Sequence, residues 1–209
     1  MSDRQPKIDR FDKEGDYEHK GKKGPGVTRV LTELFKIYGV ETDFYLERGT
    51  IVHDATVQIE EDRISWDAVR ALYPHTEGFL RGYEKFLRET GWESTFREKR
   101  VFSDKYMFGA TLDRFGKFGH HMNKRWAVLE IKTGDGAINK ATAYQLAGQL
   151  LALKEDSPQL LRGKNVNRAS VQLRSNGKYD LRWWDKPTDL SRFLAMNLTW
   201  QVMKEFKKI

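Results

Sequence analysis

The chain has 209 residues, 39% hydrophobic and 32% charged, with 37 Lys and Arg against 30 Asp and Glu and no cysteine. That length can bury a substantial core, and the lack of thiols excludes disulfides, thiolate metal centres, iron–sulfur clusters and cysteine nucleophiles. No apolar run approaches the roughly 18 residues of a membrane helix, and the formal charge of +7 favours a polyanionic partner, because Lys and Arg that neutralise phosphates drive nucleic-acid binding.

Residues 1–24 are polar, of mixed charge and rich in Lys, Asp and Gly, which predicts a flexible arm ahead of a single domain over 25–209. The arm has no apolar stretch of the signal-peptide kind, so an intracellular protein is expected. Gly24-Pro25-Gly26 punctuates the start of the domain, and Val27 to Lys36 looks like the opening of a helix. From Asp43 to about Gln58 the spacing is helical, with Phe44, Ile51, Val52 and Ala55 on an apolar side. Gly49 inside that helix costs up to about 1 kcal/mol against alanine and implies close packing or a bound group. His53 follows on the same face, and by itself it reads as a half-buried, hydrogen-bonded histidine.

Residues 65–90 read as helix interrupted around Tyr73-Pro74-His75, with Phe79, Tyr83, Phe86 and Leu87 as a core stripe. After Gly91 the period changes to two. Thr95 to Phe102 is a first strand with Phe96, Glu98 and Arg100 on one face. Tyr106 to Phe115 is a second, with Gly109, Thr111 and Asp113 opposite Phe108, Ala110 and Leu112, and Trp126 to Lys132 is a third. A helix from about Asn139 to Lys154 places Gln145 and Gln149 on neighbouring positions of one face. Strands at 169–174 and 178–184 flank Asn176-Gly177, a strong hairpin signal. A last helix from Thr188 to about Lys207 is expected to cover the sheet.

The chemistry concentrates in Val128-Leu129-Glu130-Ile131-Lys132-Thr133-Gly134. Glu130 and Lys132 share a strand face while Ile131 points to the core. Alone, Glu-x-Lys reads more readily as an edge-strand ion pair, as it would in an unrelated basic α/β binding protein. Asp113 on the preceding strand changes the weighting: if the faces match, two carboxylates and Lys132 converge. Carboxylate oxygens suit a hard cation such as Mg²⁺ or Mn²⁺, and a neighbouring lysine can position a water or offset charge on a phosphate. That constellation suits phosphodiester hydrolysis. No Walker or dinucleotide loop, serine triad or paired-histidine zinc motif occurs.

These pieces, in this order, resemble the PD-(D/E)XK nuclease superfamily, in particular its RecB-like branch, which includes phage-type recombination exonucleases, mitochondrial genome-maintenance exonucleases and cluster-free CRISPR-associated nucleases. The resemblance runs from about Gly26 to Trp184. Pro25 to Leu31, including Thr28, looks like the opening segment, and Arg48-Gly49-Thr50-Ile51-Val52-His53 like the Gly-x-x-x-His motif. Gly109 to Asp113 is similar to the Gly-x-x-Asp strand, Glu130-Ile131-Lys132 to the (D/E)-x-K centre, and Gln145 to the start of the Gln-x-x-x-Tyr helix motif. Gln149 stands where that motif has tyrosine, and Tyr144 immediately precedes Gln145.

The resemblance implies a restriction-endonuclease-like α/β core, a central mixed sheet flanked by helices with an N-terminal helical segment. It implies that His53, Asp113, Glu130 and the Ile131 carbonyl hold Mg²⁺ or Mn²⁺, with Glu98 as a secondary ligand candidate and no iron–sulfur cluster. Lys132 would orient or activate the attacking water, and Gln145 would contact the DNA backbone or steady the site. Gln149, Tyr144, Arg48 and Thr28 would bind DNA or support the site. The activity implied is a metal-dependent exonuclease on linear single- or double-stranded DNA in phage-type recombination or DNA processing. A recombination or single-strand-binding protein would be its partner, in a bacterial cytoplasm if phage-encoded. The alternatives are an endonuclease on the same fold and a catalytically inactive DNA-binding module.

Overall fold

The computed structural model describes residues 10–11, 16–35 and 43–206. The ends of the expected arm (1–9 and 12–15), Lys36 and Lys207 lie outside the described residues. In chain order the elements are β1 (Arg10–Phe11), β2 (Asp16–His19), β3 (Lys22–Pro25), α1 (Val27–Phe35), α2 (Asp43–Glu60), α3 (Trp66–Leu72) and α4 (Glu77–Thr90). There follow β4 (Glu93–Ser103), β5 (Phe108–Lys117), β6 (Trp126–Thr133), α5 (Ala141–Asp156), β7 (Val166–Leu173), β8 (Tyr179–Trp183) and α6 (Thr188–Phe206).

The main sheet has the order β4-β5-β6-β7-β8. It is mixed: β6 and β7 run parallel across the α5 crossover, and the other neighbours are antiparallel. Helices cover both faces, because strands with apolar residues on both sides must be buried on both sides. On one face Val128 and Phe115 pack with Leu146 and Leu153 of α5, Leu31 of α1 and Phe193 of α6. On the other, Leu129, Ile131 and Val171 pack with Val52 of α2 and Phe79, Tyr83 and Phe86 of α4. The expected α/β architecture is the one observed. Among the described residues no helix is long and apolar enough to cross a membrane.

Two local outcomes differ from the sequence reading and one agrees with it. Residues 16–25, expected as part of a flexible arm, form an antiparallel hairpin. Lys20 (φ +51°) and Gly21 (φ +73°) make its turn, the left-handed pair that suits strand twist. One aromatic anchors it: Tyr17 is 5% exposed, and a Cβ on Gly109 would lie 2.1 Å from its ring. Gly109 therefore makes room for this ring. The Asn176-Gly177 turn does join β7 to β8, with the left-handed backbone at Gly177 alone (φ +76°). Finally, α6 lies across α5 and α1 and meets the sheet where the Phe193 ring approaches Phe108 edge-on at 4.9 Å. Leu198 and Met203 of α6 are exposed.

Candidate active site

The β5–β6 ladder runs from Lys117↔Trp126 to Arg114↔Leu129 and stops there, whereas β6 stays paired with β7 to Thr133. Where β5 and β6 part, the Asp113 carboxylate takes the place of a ladder acceptor, receiving the Ile131 N–H at 2.7 Å. The splayed strands floor a cavity of about 830 Å³, walled by the start of α1, by α2 and by α5.

Helix α2 brings in His53. Its Nε2 donates to the Ile131 carbonyl at 3.1 Å, and its Nδ1 lies 3.8 Å from both Glu98 Oε1 and Asp113 Oδ1. Glu98 sits between Arg97 and Lys99, which pair with Arg114 and Leu112, and so stands opposite Asp113. Its backbone is left-handed (φ +48°), uncommon for a residue with a side chain and concentrated at functional sites. That kink breaks the alternation expected for Phe96, Glu98 and Arg100 and takes Glu98 out of the ladder. Ligand atoms of His53, Glu98 and Asp113 all lie within 4.8 Å of one another.

Glu130 is 3% exposed and is gripped from α5. Oε1 accepts from Lys132 Nζ at 2.8 Å and from Gln145 Nε2 at 2.7 Å, and Oε2 accepts from Gln149 Nε2 at 2.8 Å. Lys132 also donates to Gln145 Oε1 at 3.1 Å. Of the two roles the resemblance offered Gln145, steadying the site is the one its contacts serve. Gln149 is 1% exposed, and its Nε2 donates to Glu130 and to the Thr111 carbonyl, contacts that support the site.

Arg48 and Thr28 line the cavity mouth, Arg48 donating to the Thr133 carbonyl at 3.4 Å. Tyr144 does not reach the cavity; its hydroxyl meets Arg192 on the α6 side. Adjacent helical residues diverge by about 100°, so Gln145 and Tyr144 cannot share a face. A Cβ at Gly49 would meet nothing within 4 Å, so of the two reasons for that glycine, close packing is not the operative one.

Beneath the cluster lies a network that the sequence reading missed. Arg114 is fully buried. It donates to Glu60 Oε1 (2.6 Å), Thr56 Oγ1 (2.7 Å), the Asp113 carbonyl (2.7 Å) and Glu98 Oε1 (3.3 Å). Thr56 in turn donates to the His53 carbonyl at 2.6 Å, and Arg97 holds the other oxygen of Glu60 at 2.7 Å. His53, Thr56 and Glu60 fall at i, i+3 and i+7 on one face of α2. That spacing, with an Asp-Arg pair between Leu112 and Phe115 in a strand, was the available signal.

The electrostatics are those of crowded carboxylates. Burial would lower the basicity of His53, but Asp113, Glu98 and Glu130 outweigh it and raise its pKa to about 9. Burial, with Glu130 and Glu98 nearby, pushes the Asp113 carboxyl up to about 7 against the pull of His53 and Lys132. Oxygen donors from two carboxylates plus one imidazole, packed where ionised carboxylates repel one another, fit a hard divalent cation of the Mg²⁺ or Mn²⁺ kind.

No protein-family model matches the chain, and no curated protein sequence matches it. Among solved structures it is similar to an alkaline exonuclease (LHK-Exo) from Laribacter hongkongensis, at 16% identity and a TM-score of 0.37, over 88% of this chain and 93% of that one. The functional reading therefore rests on the site itself.

Proposed function

We propose that this chain is a divalent-metal-dependent nuclease acting on DNA, and that it digests linear DNA from an end. The observation that carries the metal-dependent reading is the convergence of His53, Glu98 and Asp113 within 4.8 Å, in one cavity with the Lys132–Glu130 pair. Three carboxylates would repel a phosphodiester; a divalent cation among them reverses the local charge and admits it. The exonuclease preference follows the resemblance of the motifs to the RecB-like branch.

His53, Asp113 and Glu98 would hold the cation, with Glu130 and the Ile131 carbonyl adjoining. When bound, the cation supplies Lewis-acid stabilisation of the charge that builds on the phosphate. Lys132, tethered to Glu130 and Gln145, positions the attacking water and offsets charge on the non-bridging oxygens. Gln145 and Gln149 keep the Glu130 carboxylate in one orientation, and the Arg114 network fixes α2 against β5 so that His53 and Asp113 stay in register. Arg48 and Thr28 at the mouth face the arriving backbone.

The test is digestion of end-labelled linear and closed circular DNA with Mg²⁺, Mn²⁺ or chelator. Metal-dependent loss of linear DNA is expected, with circular DNA spared and Glu130→Gln and Lys132→Ala inactive. Absence of cleavage with metal, or full activity in both variants, overturns the nuclease reading. Nicking of circular DNA overturns only the exonuclease part.

A further inference from the structure

The start of β6 and β7 lies at the opposite end of the sheet from the site. Lys132 lies six residue steps beyond Trp126 along β6, about 20 Å of strand. At that far end the loops before β6 and β7 and the end of β8 enclose a second cavity of about 610 Å³. Its lining combines cations with indoles. Lys164 sits over Trp126 at 4.6 Å from the ring centre, and Arg125 over Trp183 at 5.3 Å. Lys124 stands beside them at a left-handed loop position (φ +49°). Lys124, Arg125 and Lys164 make no ion pair among the described residues, and the cavity lining holds one carboxylate, Asp185.

Elsewhere on the surface Arg70, Arg81 and Lys85 each meet a glutamate. A guanidinium laid on an indole is held flat and presents its outer face, a surface on which a base can stack. An unpaired positive groove with flat platforms is the combination that tracks single strands without reading their sequence. We propose that this groove is a second nucleic-acid site, binding a single-stranded segment remote from the strand in the catalytic cavity. The inference goes beyond the proposed reaction and does not depend on cleavage.

The test is fluorescence anisotropy on the full chain in chelator, where no cutting occurs. The probes are labelled oligothymidylates of about 5 and about 30 nucleotides, the shorter being near the lower end of single-strand site sizes. The variant is Lys124→Gln/Arg125→Gln/Lys164→Gln, with Lys124→Arg/Lys164→Arg, which leaves the Arg125 platform in place, as the charge-preserving control.

The glutamine variant is expected to bind the long probe roughly tenfold more weakly at low salt, with a log–log salt slope shallower by about 2, as for three lost phosphate contacts on a single strand. The charge-preserving variant should bind as the wild type does, and cleavage of the short probe with metal should be unchanged in both. Unchanged affinity for the long probe, or an equal loss for both lengths, overturns the inference. Equal competition by polyglutamate also overturns it, in favour of an acidic protein partner. A protein that cuts DNA but shows no groove effect refutes this inference alone, while one that binds through the groove but never cuts refutes only the nuclease reading.

Discussion

Asp113 is held as a carboxylate in a place that disfavours its charge. Burial and its acidic neighbours push its pKa up to about 7 from an ordinary 3.8, so the folded state binds its proton more tightly than the unfolded chain. Its contribution to stability is then largest below about pH 4 and is lost as pH rises through about 7. Asp113→Asn removes the charge and retains an acceptor for the Ile131 N–H. In chelator at pH 8 it should melt higher by about 2–4 °C, the shift that about 1 kcal/mol makes in a domain of this size, while nuclease activity falls to background. A lower melting temperature would show that the carboxylate is not strained. Arg114 is the opposite case, a fully buried charge with every contact made. Arg114→Met leaves Glu60 inside with less compensation, and breaking a buried pair from one side costs about 3–5 kcal/mol. Urea unfolding should show that loss. Arg114→Lys should recover only part, because an ammonium cannot reproduce the planar fork; a loss below about 1 kcal/mol for Met would remove the network from the account of how the site is held.

Among elements, the contacts that matter are backbone approaches and end-to-end ties. Helix α4 crosses the β7–β8 turn at Gly78, where a Cβ would lie 1.7 Å from the Ser175 carbonyl oxygen. Gly78→Ala should therefore destabilise by about 1–3 kcal/mol or more, the usual range for overpacking, despite alanine's better helix propensity. Chemical denaturation measures it, and a neutral result would mean that the helix can lift off the turn. Helices α1 and α6 are tied by Glu33, which accepts from Arg29 at 2.8 Å, Trp200 Nε1 at 3.1 Å and Lys204 at 2.8 Å. Partial burial opposes its ionisation, but Lys204 and Arg29 prevail and hold its pKa at about 2 rather than 4.5. A depressed carboxyl contributes stability above its unfolded pKa and loses it as pH falls through the folded one. The melting-temperature difference between wild type and Glu33→Gln should thus be constant above about pH 5 and vanish near pH 2. The side chain is about a third exposed, so solvent screening keeps the difference small. A gap that persists unchanged at pH 2 would assign it to packing instead.

For the whole molecule, the site and the fold are coupled by mass action. A cation that binds only the folded chain stabilises it by about 2.7 kcal/mol at a hundred times its dissociation constant. Mn²⁺ should raise the melting temperature by several degrees, chelator should reverse it, and Asp113→Asn should abolish the response; equal stabilisation of both proteins would place the cation elsewhere. By itself the sequence determined whatever has a local period or a local stop. Alternation along β5 and β6, the helical stripe of α4, the broken helix around Pro74 and the Asn176-Gly177 hairpin could all be read off. So could the shared face of Glu130 and Lys132, because side chains two apart on a strand point the same way whatever surrounds them, whereas Asp113 joins them only through the register of the neighbouring strand. Only the tertiary structure decided which side chains would be spent on one another. Tyr17 finds its partner more than ninety residues away at Thr111, 2.8 Å off, so a hairpin of polar residues gains its anchor from a strand it cannot announce. The kink at Glu98, the burial of Arg114 on Glu60 and the diversion of Gln149 to Glu130 are likewise non-local. Each is set by where another strand or helix delivers a charge, which no window of neighbouring residues contains.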